Sequence, residues 1–262
     1  MTQTEWENEM CIKILDLIEN ELYIDFRYLD VAISTLILTP KESLRSTATD
    51  GISLFFPPEQ ILRAFRSNPL FLNRAVLHSV FHCIFRHLWI RGNRDSDLWN
   101  LSCDIAVEWI IDSFDKKSVK RALSGIRTNI YNDFEKQNIP VTAANIYHYL
   151  LSDVTENPDR LNQLTMEFFT DDHRFWPKDP SRSPSAAKAG QSWDKISHRM
   201  EQKLNLRGDH TASGAEAIKA QIKEGKSRRS YKDFLRKFTV LQEELHCDYD
   251  EFDLNYYSYG LR

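Results

Sequence analysis

The sequence contains little glycine and no paired cysteines. Only 8 Gly and 9 Pro occur in 262 residues, and the four cysteines stand alone, with no C-x-x-C pair. Scarce glycine argues against the many tight turns of a β-sandwich or barrel and predicts long helices. Isolated cysteines favour reduced thiols in a cytoplasm over a disulfide framework or a thiolate zinc site.

Charge blocks, export signals and long apolar runs are also lacking. With 34 Lys+Arg and 38 Asp+Glu the formal charge is −4, and no extended basic block is present, so nucleic acid is not expected as a partner. The longest apolar stretch, residues 31–38, is far shorter than the roughly 20 residues of a membrane-spanning helix. Glu5, Glu7 and Glu9 stand where an export signal would carry positive charge. We therefore expect a cytoplasmic protein that does not bind membranes.

Apolar residues recur at helical spacing along most of the chain. This pattern predicts a mainly α fold, with helices at residues 6–22, 28–38, 58–65, 70–90, 96–114, 143–151, 193–204, 213–224 and 231–245. One β-prone run, residues 52–56, lies between Asp50-Gly51 and Pro57-Pro58. Because proline ends a strand ladder, this run predicts a single edge strand or a small hairpin.

A composition shift follows Trp176. Residues 177–190, PKDPSRSPSAAKAG, contain no large apolar side chain and predict a flexible linker or loop. This divides the chain into a domain at 1–176, the linker at 177–190 and a helical C-terminal segment at 191–262. The last residues, 248–262, are acidic and then aromatic, as expected of a segment that packs against another protein surface.

Two histidines stand one helical turn apart in the predicted helix 70–90. His78 and His82 are four residues apart, so both imidazoles could reach one metal ion. They lie on a narrow polar stripe of an otherwise apolar helix, and such a stripe either lines a buried cleft or faces water. His87 would lie on the apolar side of the same helix. We expect it to be a hydrogen-bonded core histidine or a partner of a metal ligand.

The next predicted helix offers carboxylates. Asp104 and Glu108 are four apart on one face, and Asp104 could complete a His/His/Asp set that leaves a fourth metal position for water. The alternative is that Asp97, Asp104, Glu108 and Asp112 form only a solvated acidic face. On these residues alone, that second interpretation is favoured.

Several segments together resemble a known family. They are FLNRAVLHSVFHCIFRH at residues 71–87, RDSDLWNLSCDIA at 94–106, ENELYIDFRYLDVA at 19–32, the turn at 49–51 and the tail DEFDLNYYSYGLR at 250–262. They resemble the metallopeptidase-like domain that precedes a von Willebrand factor A-like (VWA-like) domain in a family of bacterial proteins. The matching segments extend from near the beginning of the chain to its end, although residues 114–231 match only loosely.

The resemblance implies a zincin-like helical domain in which the strand at 52–56 lies beside the active-site helix. It implies zinc as the metal, His78 and His82 as ligands, and Asp104 as the third ligand. It further implies partnership with a VWA-like domain and with a MoxR-type AAA+ ATPase. The tail resembles the passage into a VWA-like domain that this chain does not contain, so the chain is either a fragment or a remnant that stands alone.

The sequence departs from the zincin motif at its catalytic position. The motif H-E-x-x-H uses its Glu as general base, whereas this chain has Ser79 there. A serine hydroxyl cannot accept and release a proton at neutral pH as a carboxylate does. Losing a general base lowers the rate on the order of 10²- to 10⁴-fold. We therefore predict a degenerate domain that binds metal or a partner. The alternatives are an active zinc peptidase with Glu108 as relocated base, and a helix that holds no metal.

Overall fold

Helices form most of the chain, as the sequence predicts. The computed structural model describes residues 2–206 and 215–226. Its α-helices are α1 Gln3–Asp25, α2 Asp30–Ile33, α3 Pro58–Ser67, α4 Pro69–Ile84, α5 Ser96–Ser113, α6 Gly125–Lys136, α7 Ala143–Leu150, α8 Asp153–Glu156, α9 Pro158–Phe168, α10 Pro184–Leu206 and α11 Ala215–Lys226. None of these described helices is both long enough and apolar enough to cross a membrane.

A small sheet lies beside the helices. Its strands are β1 Ile37–Pro40, β2 Thr47–Thr49, β3 Ser53–Phe56 and β4 Asp171–Asp172, in the order β1-β3-β2-β4. β2 and β3 form an antiparallel hairpin, while β1 pairs parallel to β3 and β4 pairs parallel to β2. The predicted strand at 52–56 is thus β3, with a hairpin partner. The predicted helix at 28–38 was wrong in its second half, because residues from 37 onward pair with β3 instead.

The hairpin turn explains one of the few glycines. Gly51 has φ of 85°, and a Cβ on it would lie 2.6 Å from the ring of Trp89. The carboxylate of Asp50 accepts hydrogen bonds from the backbone N–H groups of Ile52 and Ser53. Only glycine combines this backbone conformation with so close an approach of the indole.

The central helix α4 is buried on almost every side, and α1, α3, α5 and α10 all pack against it. It was predicted to run to residue 90 but ends at Ile84, because Arg86 adopts the left-handed conformation with φ of 64°. The N–H of Arg86 then bonds to the carbonyl of Cys83, and the N–H of His87 bonds to the carbonyl of His82. This pair of bonds is a Schellman motif, which reverses the chain and brings His87 back to the helix.

The predicted linker at 177–190 is helical in its second half. α10 begins at Pro184, and the carbonyl of Ala186 accepts a hydrogen bond from the indole of Trp89. The described residues up to Gly225 form one compact unit with no break at the linker. The small residues that suggested flexibility are the ones that let α10 approach Trp89 closely: a Cβ on Gly190 would be only 3.1 Å from that indole. The predicted helix at 231–245 and the aromatic tail at 248–262 lie outside the described residues.

We expect α10 to be an integral part of the fold. Trp193 is buried, and its indole donates to the carbonyl of Gly51 at 2.7 Å. Replacing Trp193 by Ala should lower the free energy of unfolding by about 3–5 kcal/mol in a chemical denaturation experiment. Ser192→Ala, one exposed position earlier, should change it by less than about 0.5 kcal/mol. Equal stabilities of the two variants would mean that α10 is not attached to the core.

Candidate metal centre

Helix α4 places its two histidines in the interior. His78 and His82 are both 0% exposed, and their Nε2 atoms lie 2.8 Å apart. The alternative in which the histidine stripe faces water is therefore wrong. Two imidazole nitrogens this close repel each other unless a proton or a cation lies between them.

Helix α5 packs across α4 and adds the first carboxylate. Oδ1 of Asp104 lies 3.4 Å from Nε2 of His78 and 3.2 Å from Nε2 of His82. Asp104 is 7% exposed and Glu108 is 1% exposed. The solvated acidic face that the residues alone favoured is thus wrong for both carboxylates, because this face of α5 is turned towards α4.

A second carboxylate comes from a distant part of the chain. Asp171 lies in β4, where its pairing with Thr47 of β2 fixes its position. Its Oδ1 lies 3.4 Å from Nε2 of His78 and 3.9 Å from Nε2 of His82. His78, His82, Asp104 and Asp171 each offer one ligand atom, and these four atoms all lie within 4.8 Å of one another.

A third histidine borders this four-residue cluster. Nε2 of His173 lies 2.9 Å from Oδ1 of Asp171 and 3.1 Å from Oδ1 of Asp104. The indole of Trp176 lies against His173 and His82, with ring centroids 4.0 Å and 5.0 Å away. The segment after α9 thus supplies one carboxylate, one imidazole and an aromatic cover.

The other ring nitrogen of each α4 histidine has a buried partner. Nδ1 of His78 lies 2.9 Å from Oε1 of Glu108, and Nδ1 of His82 lies 3.0 Å from Nδ1 of His87. When these Nδ1 atoms carry the proton, each ring donates outwards and its Nε2 lone pair is free to face the cluster. Partners of this kind fix the tautomer and orientation of metal-ligating histidines.

Glu108 is itself held by arginines. Its Oε2 accepts from Arg74 at 2.6 Å and from Arg127 at 2.8 Å, and Arg121 approaches at 3.3 Å. Asp112, one turn further along α5, shares all three arginines. Burial raises the pKa of Glu108, but His78 and the arginines hold it well below its ordinary value. The carboxylate therefore stays ionised behind the His78 ring.

The cluster titrates as a coupled group. Burial alone would lower the pKa of His78, yet the carboxylates of Asp171 and Asp104 hold it well above its usual value. Burial and the charge of His78 lower the pKa of His82 to about 4. Burial also opposes charge on His173, but Asp104 and Asp171 raise its pKa to about 10. Protons on His78 and His173 thus balance the two carboxylates, and a cation that binds here must displace protons.

The residues fit a divalent metal ion. Oδ1 of Asp104, Oδ1 of Asp171 and Nε2 of His173 are buried and make no hydrogen bond to any described residue, although buried polar atoms are normally paired. Donors at 2.0–2.2 Å from one cation lie roughly 3–3.6 Å from one another. The distances from Asp104 to both histidines and from Asp171 to His78, 3.2–3.4 Å, lie in this range. Nitrogen and oxygen donors without sulfur suit Zn²⁺ and other first-row divalent ions.

The structure brings together the three predicted ligands, His78, His82 and Asp104. The sequence analysis missed Asp171 and His173, whose only local signal is the Asp-Asp-His run at 171–173. Comparison with protein-family models, with curated proteins and with solved structures found no match. The function of the centre must therefore be argued from its geometry.

Glu108 should control metal affinity through His78. Glu108→Gln should weaken Zn²⁺ binding about 10- to 100-fold in a competitive chelator titration, because the amide no longer holds the His78 ring as a carboxylate does. Asp112→Asn is the matched control, since it removes one negative charge from the same arginines without touching a histidine of the cluster. Both variants should lose stability, and only Glu108→Gln should lose metal affinity. Equal affinity losses would contradict an orienting role for Glu108.

Proposed function

We propose that this chain is a degenerate zincin-like module that binds one divalent cation, with zinc as first candidate, and does not hydrolyse peptides. The observation that carries the proposal is the fourth donor, Asp171, which joins His78, His82 and Asp104 in one buried cluster. A cation held there would neutralise the two carboxylates and cross-link α4, α5 and β4.

The number of donors favours a structural site over a catalytic one. Catalytic zinc sites have three protein ligands and keep a fourth position for water, whereas structural sites are closed by four. Here Asp171 supplies the fourth donor, and His173 and Trp176 occupy the adjacent space. With four protein donors and these two side chains beside them, the described residues resemble a closed structural site more than an open catalytic one.

Ser79 supports the same proposal. Its hydroxyl lies 3.4 Å from Oδ2 of Asp171 and donates to it, so it helps to turn Oδ1 towards the histidines. A glutamate at this position would bring a second carboxylate against Asp171 with no cation between the two. The serine and the fourth ligand are therefore compatible with each other, while the zincin glutamate and Asp171 are not.

Glu108 supports the non-catalytic alternative better than the peptidase alternative. It contacts Nδ1 of His78, the side of the ring that faces away from the cluster, and it is paired with buried Arg74 and Arg127. Moving it to the ligand side would leave two buried guanidinium groups with one partner fewer, which is costly. It serves in this proposal as the group that orients His78.

The proposal keeps the partners that the resemblance implies. A VWA-like domain and a MoxR-type AAA+ ATPase would work with this module, and the cytoplasm is the compartment expected for such an assembly. This part rests on the tail at 250–262, which lies outside the described residues.

Metal content tests the proposal directly. The purified protein should contain about one equivalent of a divalent metal by mass spectrometry, as a closed set of four donors requires. His78→Ala, His82→Ala, Asp104→Asn and Asp171→Asn should each reduce this content strongly. The control His148→Ala alters an exposed histidine on α7 and should leave it unchanged. Full metal content in the Asp171→Asn variant would overturn the four-donor site.

Hydrolysis assays separate the two functions. The zinc-loaded protein should not cleave casein or a peptide library above the rate of a chelator-treated sample, because Ser79 stands in place of the general base and a fourth protein donor would take the position of the catalytic water. Chelator-sensitive turnover that persists in Ser79→Ala and is lost in Glu108→Gln would instead support the active peptidase. The His78→Ala/His82→Ala double variant serves as the control for contaminating proteases.

A further inference from the structure

A pocket of about 430 Å³ opens between β2, α3 and the first turns of α4. This is within the size range of ligand-binding clefts. It adjoins the metal centre without containing any of its ligands: Ala75 in its wall lies one turn before His78, and Thr170 precedes Asp171.

Large apolar side chains form much of the wall. Ile61 and Leu72 are buried at its inner side, while Phe71 and Phe169 at its mouth are 49% and 58% exposed. Two half-exposed phenylalanines at one opening form the kind of apolar patch that marks a binding site on a soluble domain.

The charge of the pocket has one sign. Among the described residues that line it, the ionisable side chains are Arg45 and Arg63, and no acidic side chain is present. Arg63 also contacts Glu59 one turn earlier on α3, and both of these side chains are well exposed. An exposed i,i+4 pair of this kind is weak, so Arg63 remains able to bind an anion.

Hydroxyl and amide side chains interrupt the apolar wall. Ser46, Thr47, Gln60 and Asn68 all line the pocket. The buried hydroxyls of Ser46 and Thr47 make no hydrogen bond in the described structure, and the Asn68 side chain does not cap α4. A hydrocarbon chain would remove water from Gln60 and Asn68 without pairing them and would leave the two hydroxyls as they are, whereas a peptide backbone offers all four groups donors and acceptors.

We propose that this pocket binds the free carboxyl terminus of a peptide whose last residues are apolar. The terminal carboxylate pairs with Arg45 and Arg63, the last side chains pack against Phe71 and Phe169, and the peptide backbone bonds to the hydroxyl and amide groups. The pocket shares no side chain with the four-donor cluster, so the two proposals can succeed or fail separately.

Fluorescence anisotropy tests this site on the full chain. The probe is a pool of fluorescein-labelled hexapeptides with apolar last two residues and a free carboxyl terminus. We expect saturable binding that weakens about tenfold or more when the same peptides are amidated, because a charge-assisted pair is lost. The Arg45→Gln/Arg63→Gln double variant should weaken it to a similar extent.

Arg66→Gln is the matched control, since Arg66 lies on the same helix α3 but lines a different groove. It should leave peptide affinity within about twofold, as expected of a surface change away from the site. Thr47→Val should retain the stability of the parent protein, because the unpaired hydroxyl contributes nothing to the free energy of unfolding. It should nevertheless weaken peptide binding.

Three results would overturn the proposal. The first is no saturable binding up to about 1 mM peptide, and the second is equal affinity for the free and the amidated peptides. The third is displacement of the peptide by dodecanoate at equal concentration, which would show that a hydrocarbon carboxylate is sufficient for binding. Metal content, measured on the same samples, reports the other proposal separately.

Discussion

The balance of charge in a closed interior is the constraint on which the centre depends. Carboxylates and imidazoles converge here from α4, α5 and β4, and several of their polar atoms are buried without hydrogen bonds. Isolated charges in such surroundings are strongly unfavourable. The cluster must therefore hold either protons or a cation. Without one of these, α4 and the short strand β4 could not bring their charged side chains this close together.

A second buried ionic group lies directly behind the first. Arg74 and Arg127 neutralise Glu108 and Asp112, and Glu108 in turn contacts His78. A buried ion pair is not by itself strong evidence for stability, because desolvation offsets much of its attraction. Its value here is geometric: guanidinium groups fix the carboxylate, and the carboxylate fixes the imidazole. The orientation of the His78 ring is thus determined by residues up to 53 positions apart in the chain, from Arg74 to Arg127.

The sequence predicts those site residues whose arrangement depends on neighbours in the chain, and it misses those that depend on distant pairing. The pair His78 and His82 is visible because one helical turn brings them together, whatever the rest of the fold. Asp104 was a candidate from its helical spacing, but the residues alone favoured a solvated face, and only the resemblance made it the expected third ligand. Asp171 could not be found this way, because its position depends on strand pairing with Thr47, and no local periodicity records that pairing.

The misinterpreted segments have physical causes of the same kind. Residues near Ile37 are apolar enough to continue a helix, and only the presence of β3 turns them into a strand. Small residues near Gly190 resemble a linker in composition, but the neighbouring indole of Trp89 makes small size a packing requirement. In both cases a tertiary partner, absent from the local sequence, decides the outcome.

The spread of the donors along the chain has a consequence for the order of folding. His78 and Asp171 are separated by 93 positions, 171 − 78, so the complete site closes a long loop whose ends meet only when β4 has joined the sheet. Before that step α4 and α5 bring together at most His78, His82 and Asp104, one donor fewer than the complete cluster. Under the proposal that the cluster binds a cation, tight uptake would be a late event that marks chains with completed tertiary structure, and incompletely folded chains would release the ion.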